Sequence, residues 1–388
     1  LPFDLRVRWF RQLSQHSALD DFVPHEEGLG RSYDAPPLRV RRSALLVDAL
    51  QVLGQRRPVV ALRERLQVVF DGEEATGPGV KREWFHATWQ ALMQPTVGLF
   101  ATVASVFGDG TADDAAAYFP VSTAGVPDGG ATLHVVAGRL LGLTLAHHQL
   151  LPAPLSAAVL GAVCGRQPRM SDVRAADPTF ASGMQYVLDN DVTPLELAFA
   201  VDDPDGSGGT HHVDLIPNGS NVAVTNANKA EYVQLLVAHH LLAPMGASLA
   251  PFLAGLHDVI PPSQLSVFSP GELVGMVVGE PVIDVCDWRA HTVYHDFAPH
   301  SETVVWFWEA VEAFTDAQRA NLLRFVTGCS RVPLGGFANL PSGSGDITRF
   351  QVCNSYKPGT FLPTSHTCFN QLCLSPQYAS YEAFRDLL

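Results

Sequence analysis

The chain has 388 residues, of which 47% are hydrophobic and 16% charged, and a formal net charge of −14. This is a folded globular composition with room for about two or three domains. The acidic balance excludes nucleic acid as the main partner, since a phosphate backbone recruits lysine and arginine, but it suits a protein partner with basic patches. The charge is uneven: residues from Pro281 onward hold 7 Lys and Arg against 10 Asp and Glu, leaving −11 for the first 280.

In chain order, Phe3, Val7, Phe10 and Leu13 recur at helical spacing and predict a helix over Phe3 to His16. A second helix is predicted over Val40 to Leu53, opening with Arg41-Arg42. Leu66 to Phe70 reads as a strand, Gly77-Pro78-Gly79 as a turn, and Val80 to Met93 as a helix. Gly108 to Gly130 reads as loop with a short strand around Tyr118-Phe119-Pro120. The apolar region Gly138 to Cys164 is interrupted by Arg139, His147-His148, Pro152 and Pro154, so it predicts buried core helices within His134 to Leu150 and Pro154 to Cys164, not a membrane span.

Asp177-Pro178 starts a shorter helix through Leu188, and Leu195 to Val201 is a strand candidate. Asp202 to Gly209 reads as a hairpin turn with a return strand over His211 to Leu215. Asn226 is placed as the cap of a helix from Lys229 to Leu242. Leu249 to Val259 forms the next helix, and Ser269-Pro270 reads as an N-cap with proline at the first helical position. Gly279-Glu280-Pro281 is a plausible hinge, although Pro281 restricts one position. Helices around Val304 to Trp308 and Gln318 to Phe325, a strand near Phe350 to Val352, and a loop around Cys368 complete the chain.

Six cysteines without CxxC spacing predict reduced, intracellular thiols and not a disulfide framework. The start is not a signal peptide, and the lack of an initiator Met points to a piece of something larger. The His pairs 147-148, 211-212 and 239-240 lack zinc-site spacing, so no metal is expected. There is no P-loop, no dinucleotide fingerprint and no GxSxG elbow. Cys368 lies among hydroxyls and an imidazole after a proline turn, a setting that favours thiolate formation more than an apolar helix does. As a bare residue it reads first as an ordinary half-buried thiol, since most cysteines are packing residues. A cysteine protease is the enzyme alternative. Its base would be His366, which shares a face with Cys368 if the segment is extended, but no orienting Asn or Asp is identifiable.

The assembled motifs resemble the HECT-type ubiquitin-protein ligases. They include Val69-Phe70-Asp71-Gly72-Glu73, Val80-Lys81-Arg82-Glu83-Trp84-Phe85, Pro217-Asn218-Gly219-Ser220-Asn221, Trp306-Phe307-Trp308, Val332-Pro333-Leu334-Gly335-Gly336-Phe337 and Leu362-Pro363-Thr364-Ser365-His366-Thr367-Cys368-Phe369-Asn370. The resemblance spans the chain in order. Phe3-Asp4, Phe10-Arg11-Gln12 and Asp189-Asn190-Asp191-Val192 look most like the giant Mule-type members.

The resemblance implies an α+β, bilobal fold: a mostly helical N-lobe over 1–279 with an E2-binding subdomain at 166–237, a hinge at 280–281 flanked by Gly279, and an α/β C-lobe over 282–388. It implies that Cys368 accepts ubiquitin from an E2 enzyme as a thioester and passes it to a substrate lysine, with His366 and Thr367 in support. The implied E2 contacts are Tyr186, Leu195, Leu197, Tyr232 and Leu236; the alternative is that these are subdomain core. Gly183 stands where the family often has Leu. Arg42, Glu73 and Glu83 are expected as a buried structural charge cluster, whose loss of one partner would cost about 3–5 kcal/mol. The implied partners are ubiquitin-charged E2, ubiquitin and protein substrates, with no nucleic acid, no membrane and no cofactor, in the cytoplasm or nucleus. The family pattern continues past Leu388 into a tail with a phenylalanine important for ligation; without it, transfer would suffer while thioester formation survives. The competing reading is a non-catalytic module that binds ubiquitin or E2.

Overall fold

The computed structural model describes the chain except residues 16–36, 56–61, 64–65, 109–115, 122–129, 205–208, 281, 342–346 and 355–360. Two separate hydrophobic cores organise it, one ending at Val278 and the other starting at Ile283. The result is a bilobal α+β protein with a larger helical lobe and a smaller lobe built on a sheet.

The large lobe contains α1 (Phe3–Gln15), α2 (Leu45–Leu53), α3 (Pro78–Leu92), α4 (Ala131–Ala146), α5 (Ala157–Val163), α6 (Met170–Ala176), α7 (Pro178–Asp189), α8 (Lys229–Leu242), α9 (Leu249–Val259) and α10 (Pro270–Val278). Its strands pair two by two. β1 (Leu38–Val40) runs parallel to β2 (Val68–Phe70), β3 (Phe100–Thr102) antiparallel to β4 (Tyr118–Pro120), and β5 (Ala200–Pro204) antiparallel to β6 (Thr210–Asp214).

The centre of this lobe is the crossing of α4 and α9. A Cβ on Gly138 would lie 1.9 Å from the Phe252 carbonyl oxygen, and one on Gly255 2.0 Å from that of Val135. Reciprocal glycines therefore let the two backbones touch. Buried Arg139 closes the crossing with two donors to Asp258 Oδ2 at 2.9 and 2.6 Å and one to the Leu53 carbonyl at 2.6 Å. Helix α1 docks through fully buried Phe10, edge-on to Phe268, and through Arg6, which donates to Glu272 at 2.9 Å. Glu272 also completes the capping box of α10 with Ser269, so the predicted N-cap is present.

The small lobe has α11 (Val285–Ala290), α12 (Glu302–Ala313), α13 (Asp316–Thr327) and α14 (Tyr381–Arg385) around a four-stranded sheet. The strands are β7 (Thr292–His295), β8 (Phe350–Asn354), β9 (Thr364–His366) and β10 (Gln371–Leu374), in the order β7-β8-β10-β9. Only the β9–β10 pair is antiparallel. Trp288 anchors the core, stacked on Phe337 at 4.9 Å and edge-on to Phe350 at 5.1 Å. Asp284 caps α11 by accepting from the Cys286 and Asp287 amides.

Four local expectations are corrected. Residues 38–40 form a strand and 42–44 a 3-10 turn, so the second helix begins only at Leu45; the partner that makes 38–40 a strand lies some thirty residues away. Thr193–Leu195 is a 3-10 turn and Glu196 is left-handed, which delays β5 to Ala200. Asn228, not Asn226, occupies the N-cap of α8. The Asn226 side chain instead accepts from the Val192 amide and donates to Asp191. The Cys368 segment is not an open loop but a tight turn between β9 and β10.

Candidate active site

Strands β9 and β10 pair with His366 opposite Gln371, and the chain between them closes as a 3-10 turn, Thr367–Phe369. Asn370 ends that turn at φ 51°, the left-handed region that Asn tolerates better than most residues. Its side chain is fully buried and donates to the Pro341 carbonyl at 3.0 Å and the Thr348 carbonyl at 2.8 Å. Gln351 holds the turn from β8, its amide donating to the Asn370 carbonyl and its side chain to that of Phe369. Ser365 Oγ donates to the Phe325 carbonyl at the end of α13. The turn is thus fixed on both sides, and Cys368 at its middle stays partly exposed.

The turn packs across the lobe junction on α3. A Cβ on Gly79 would lie 3.0 Å from Thr367 Oγ1 and 3.6 Å from Cys368 Sγ. One helical turn on, Arg82 enters the small lobe, buried to 9% exposure, and donates to the Pro341 carbonyl at 3.1 Å. Burial pushes the Arg82 guanidinium below its ordinary value, opposed by the Cys329 and Cys368 sulfurs. His86, a further turn along, is likewise pushed down by burial and by Arg324 of α13. The residue after the thiol, Phe369, is 60% exposed.

Four of the other cysteines are poor nucleophiles. Burial pushes the Cys164 thiol up to about 11 and raises those of Cys329, Cys353 and Cys373. Among the described residues, no cluster of His, Cys, Asp or Glu has a metal-binding arrangement.

His366 is the exposed last residue of β9, and the 3-10 turn starts right after it. The extended geometry that would place His366 and Cys368 on one face is therefore broken. Thr367 lies against Gly79. At the lobe junction, Gly279 has φ 79° and lies tight against Val332, and the Glu280 amide donates to the Val332 carbonyl at 2.7 Å. Pro281 lies outside the described residues.

Of the five expected E2 contacts, Tyr186 on α7 and Leu195 are 57% and 42% exposed, and Leu197 is half-buried. Tyr232 and Leu236 lie in the packed interior, the Tyr232 ring edge-on to Phe199 at 5.5 Å. Gly183 is exposed one turn before Tyr186, with nothing near the position of its missing Cβ.

Arg42 does bridge Glu73 and Glu83, donating to Glu83 at 2.6 Å. The cluster is not buried, however: the three side chains are 48%, 36% and 50% exposed. Water screens such a network, and the large cost expected of a buried set does not apply.

Arg82 and Asn370 stand within the sequence motifs without a role of their own there. The signal for Asn370 was available, since an Asn directly before a strand favours a left-handed turn end. For Arg82 it was the i, i+3, i+7 spacing of Gly79, Arg82 and His86 on one helix face.

With this geometry in view, the comparisons place the chain. The family model described as HECT-domain (ubiquitin-transferase) matches residues 86–388. The chain belongs to the HECT family. It is 36% identical, over its whole length, to an E3 ubiquitin-protein ligase TOM1-like of Neurospora crassa, and spans 9% of that protein. It is 35% identical, again over its whole length, to the E3 ubiquitin-protein ligase HACE1 of Homo sapiens, spanning 41% of it. Over 94% of its length it is 34% identical to the E3 ubiquitin-protein ligase ptr1 of Schizosaccharomyces pombe, spanning 11% of it.

Proposed function

We propose that the chain is the catalytic unit of an E3 ubiquitin ligase and that Cys368 carries the ubiquitin. The observation that supports this most is the position of Cys368: a partly exposed thiol on a rigid turn at the lobe junction of a HECT-family chain. The Cys368 thiolate attacks the carbonyl carbon of an E2–ubiquitin thioester, and the E2 cysteine leaves as thiolate. The amine of a substrate lysine then attacks the new thioester. It loses a proton to solvent, forms the isopeptide bond and frees Cys368. Exchanging one thioester for another is nearly isoenergetic, so the protein's contribution is covalent capture and positioning.

Tyr186 and Leu195, exposed and apolar, are the side chains of the 166–237 region best placed to grip the E2, with Leu197 at their edge and Tyr232 and Leu236 supporting them from inside. His366 and Thr367 shape the approach to the thiol. Gly279-Glu280-Pro281 links an N-lobe over 1–279 to a C-lobe over 282–388, and movement there would let Cys368 visit the E2. The resemblance to the giant Mule-type ligases is supported by the two very long relatives of which this chain spans 9% and 11%, although HACE1 is just as similar.

Mixing the protein with E1, E2, ubiquitin and ATP tests the reading. It expects a ubiquitin adduct that dithiothreitol removes and Cys368→Ala abolishes. No adduct with any of a panel of E2 enzymes would overturn it.

A further inference from the structure

Arg82 and Asn370 come from different lobes and meet on one atom. Arg82 Nη2 donates to the Pro341 carbonyl at 3.1 Å, and Asn370 Nδ2 donates to the same oxygen at 3.0 Å. Asn370 is two residues from Cys368 and sets the end of its turn. The guanidinium reaches this point from the face of α3 that also presents Gly79 to Cys368. Its aliphatic stem packs beneath the end of α13, where a Cβ on Gly328 would sit 3.2 Å from Arg82 Cδ. Among the described residues the guanidinium has the Pro341 carbonyl as its one hydrogen-bond acceptor, and a buried cation so sparsely paired carries a high desolvation cost. Core cohesion does not require it, because each lobe has its own complete apolar core.

We propose that Arg82 is a positioning residue for the second half of the reaction: through Pro341 and Asn370 it holds the Cys368 turn against α3 while the thioester is attacked by the amine. The proposal rests on the reading of Cys368 as ubiquitin carrier. In the docked posture, α3 closes one side of the thiol, while Cys368 stays partly exposed and the next residue, Phe369, is 60% exposed. An acyl group on Cys368 therefore projects away from α3, and holding the turn there limits the orientations in which the incoming amine meets its carbonyl. Loading has a different requirement. The small lobe must present the thiol to a separate, E2-held thioester, and a latch to α3 contributes nothing to that step.

The test is a single-turnover pulse-chase on the whole chain. Ubiquitin is loaded from a charged E2, E2 charging is stopped, and free lysine is added. Arg82→Met is expected to slow discharge to lysine about tenfold or more while loading changes by less than about twofold. Arg82→Lys, which keeps one donor to Pro341, should recover part of the discharge rate. Gly79→Val leaves Arg82 in place but puts bulk where a Cβ alone would already meet Thr367 Oγ1, so it should give the same split. Equal slowing of both steps would overturn the proposal in favour of a purely structural role. Unchanged discharge, with or without faster loading, would also overturn it. If Arg82→Met does not fold by thermal melting, Gly79→Val decides by the same criterion. Wild-type protein that never loads would sink the carrier reading itself; wild type and variants that load and discharge alike sink only the latch.

Discussion

Arg82 and Glu83 are neighbours on α3, yet their charges do opposite kinds of work. Glu83 shares Arg42 with Glu73 in a network about half exposed to water. Arg82 is 9% exposed, has left its own lobe, and ends on a carbonyl that also anchors the Cys368 turn. Hydrogen-bond lengths do not separate the two sites; solvent does. In water the ion-pair gain is largely cancelled by hydration, whereas at the junction a guanidinium withdrawn from water depends on its hydrogen bond to the carbonyl it shares with Asn370. One helix thus carries a dispensable surface network on one face and a demanding interlobe contact on the next.

The largest effect is expected on the buried side. Asn370→Ala removes two buried hydrogen bonds and puts a β-carbon residue without a local acceptor in the left-handed region, costing about 3 kcal/mol in chemical denaturation. Asn370→Gly should recover the backbone part of that loss. Equal losses for the two variants would show that the backbone conformation is not under strain.

Two half-buried histidines sharpen the contrast through pH. Burial holds His147 and His148 at about 4, below their ordinary 6.5, with Lys81 and Arg11 adding repulsion. Between these values the unfolded chain binds protons that the folded chain refuses. Stability is therefore full above about pH 6.5 and falls as pH drops towards about 4. His147→Gln can keep a donor towards the Leu62 carbonyl, which His147 Nε2–H now serves at 2.8 Å. Urea midpoints measured across this range should fall less steeply for the variant, and an unchanged slope would remove His147 as a source.

The exposed side should respond weakly. Arg42→Ala is expected to cost about 1 kcal/mol or less, and less still in high salt, despite its two carboxylate partners and the Phe70 ring 4.0 Å away. A loss of several kcal/mol in denaturant titration would mean that the network behaves as a buried one. The smallest effect belongs to Gly183→Leu. It should stabilise α7 by about 0.7 kcal/mol and tighten E2 binding by calorimetry, since the new side chain enters open space one turn from Tyr186. Unchanged binding would argue that α7 does not face the E2.

The same contrast explains what could be read from the sequence. Helices α4, α8 and α9 were legible because each is a long apolar stretch between turn signals, and α4 is buried nearly all round. Among strands of three or four residues, β2 and β4 were legible from their apolar and aromatic content, but β1, β3, β7, β9 and β10 were not. The partners of β1 and β7, and the β8 partner of β10, are distant in sequence, and no alternation of that length is distinctive even for the adjacent β9–β10 pair. Cys368 was legible through its motif. The depth of its surroundings was not: Arg42 and Arg82 look alike in a sequence, and only the docking of the small lobe on α3 buries one of them. Tyr232 and Leu236 illustrate the converse, since an apolar residue on a subdomain helix reads equally as partner contact or core until its neighbours are placed.

The central claim is that ubiquitin passes through Cys368 on its way to lysine, and a rapid-quench chase of E2-linked ubiquitin tests it most directly. The account predicts that ubiquitin appears first on the protein in a dithiothreitol-labile species, that this species maps by mass spectrometry to the Cys368 peptide, and that it decays as the lysine product forms. Ubiquitin reaching lysine at an unchanged rate in Cys368→Ala, with no labile intermediate, would contradict it.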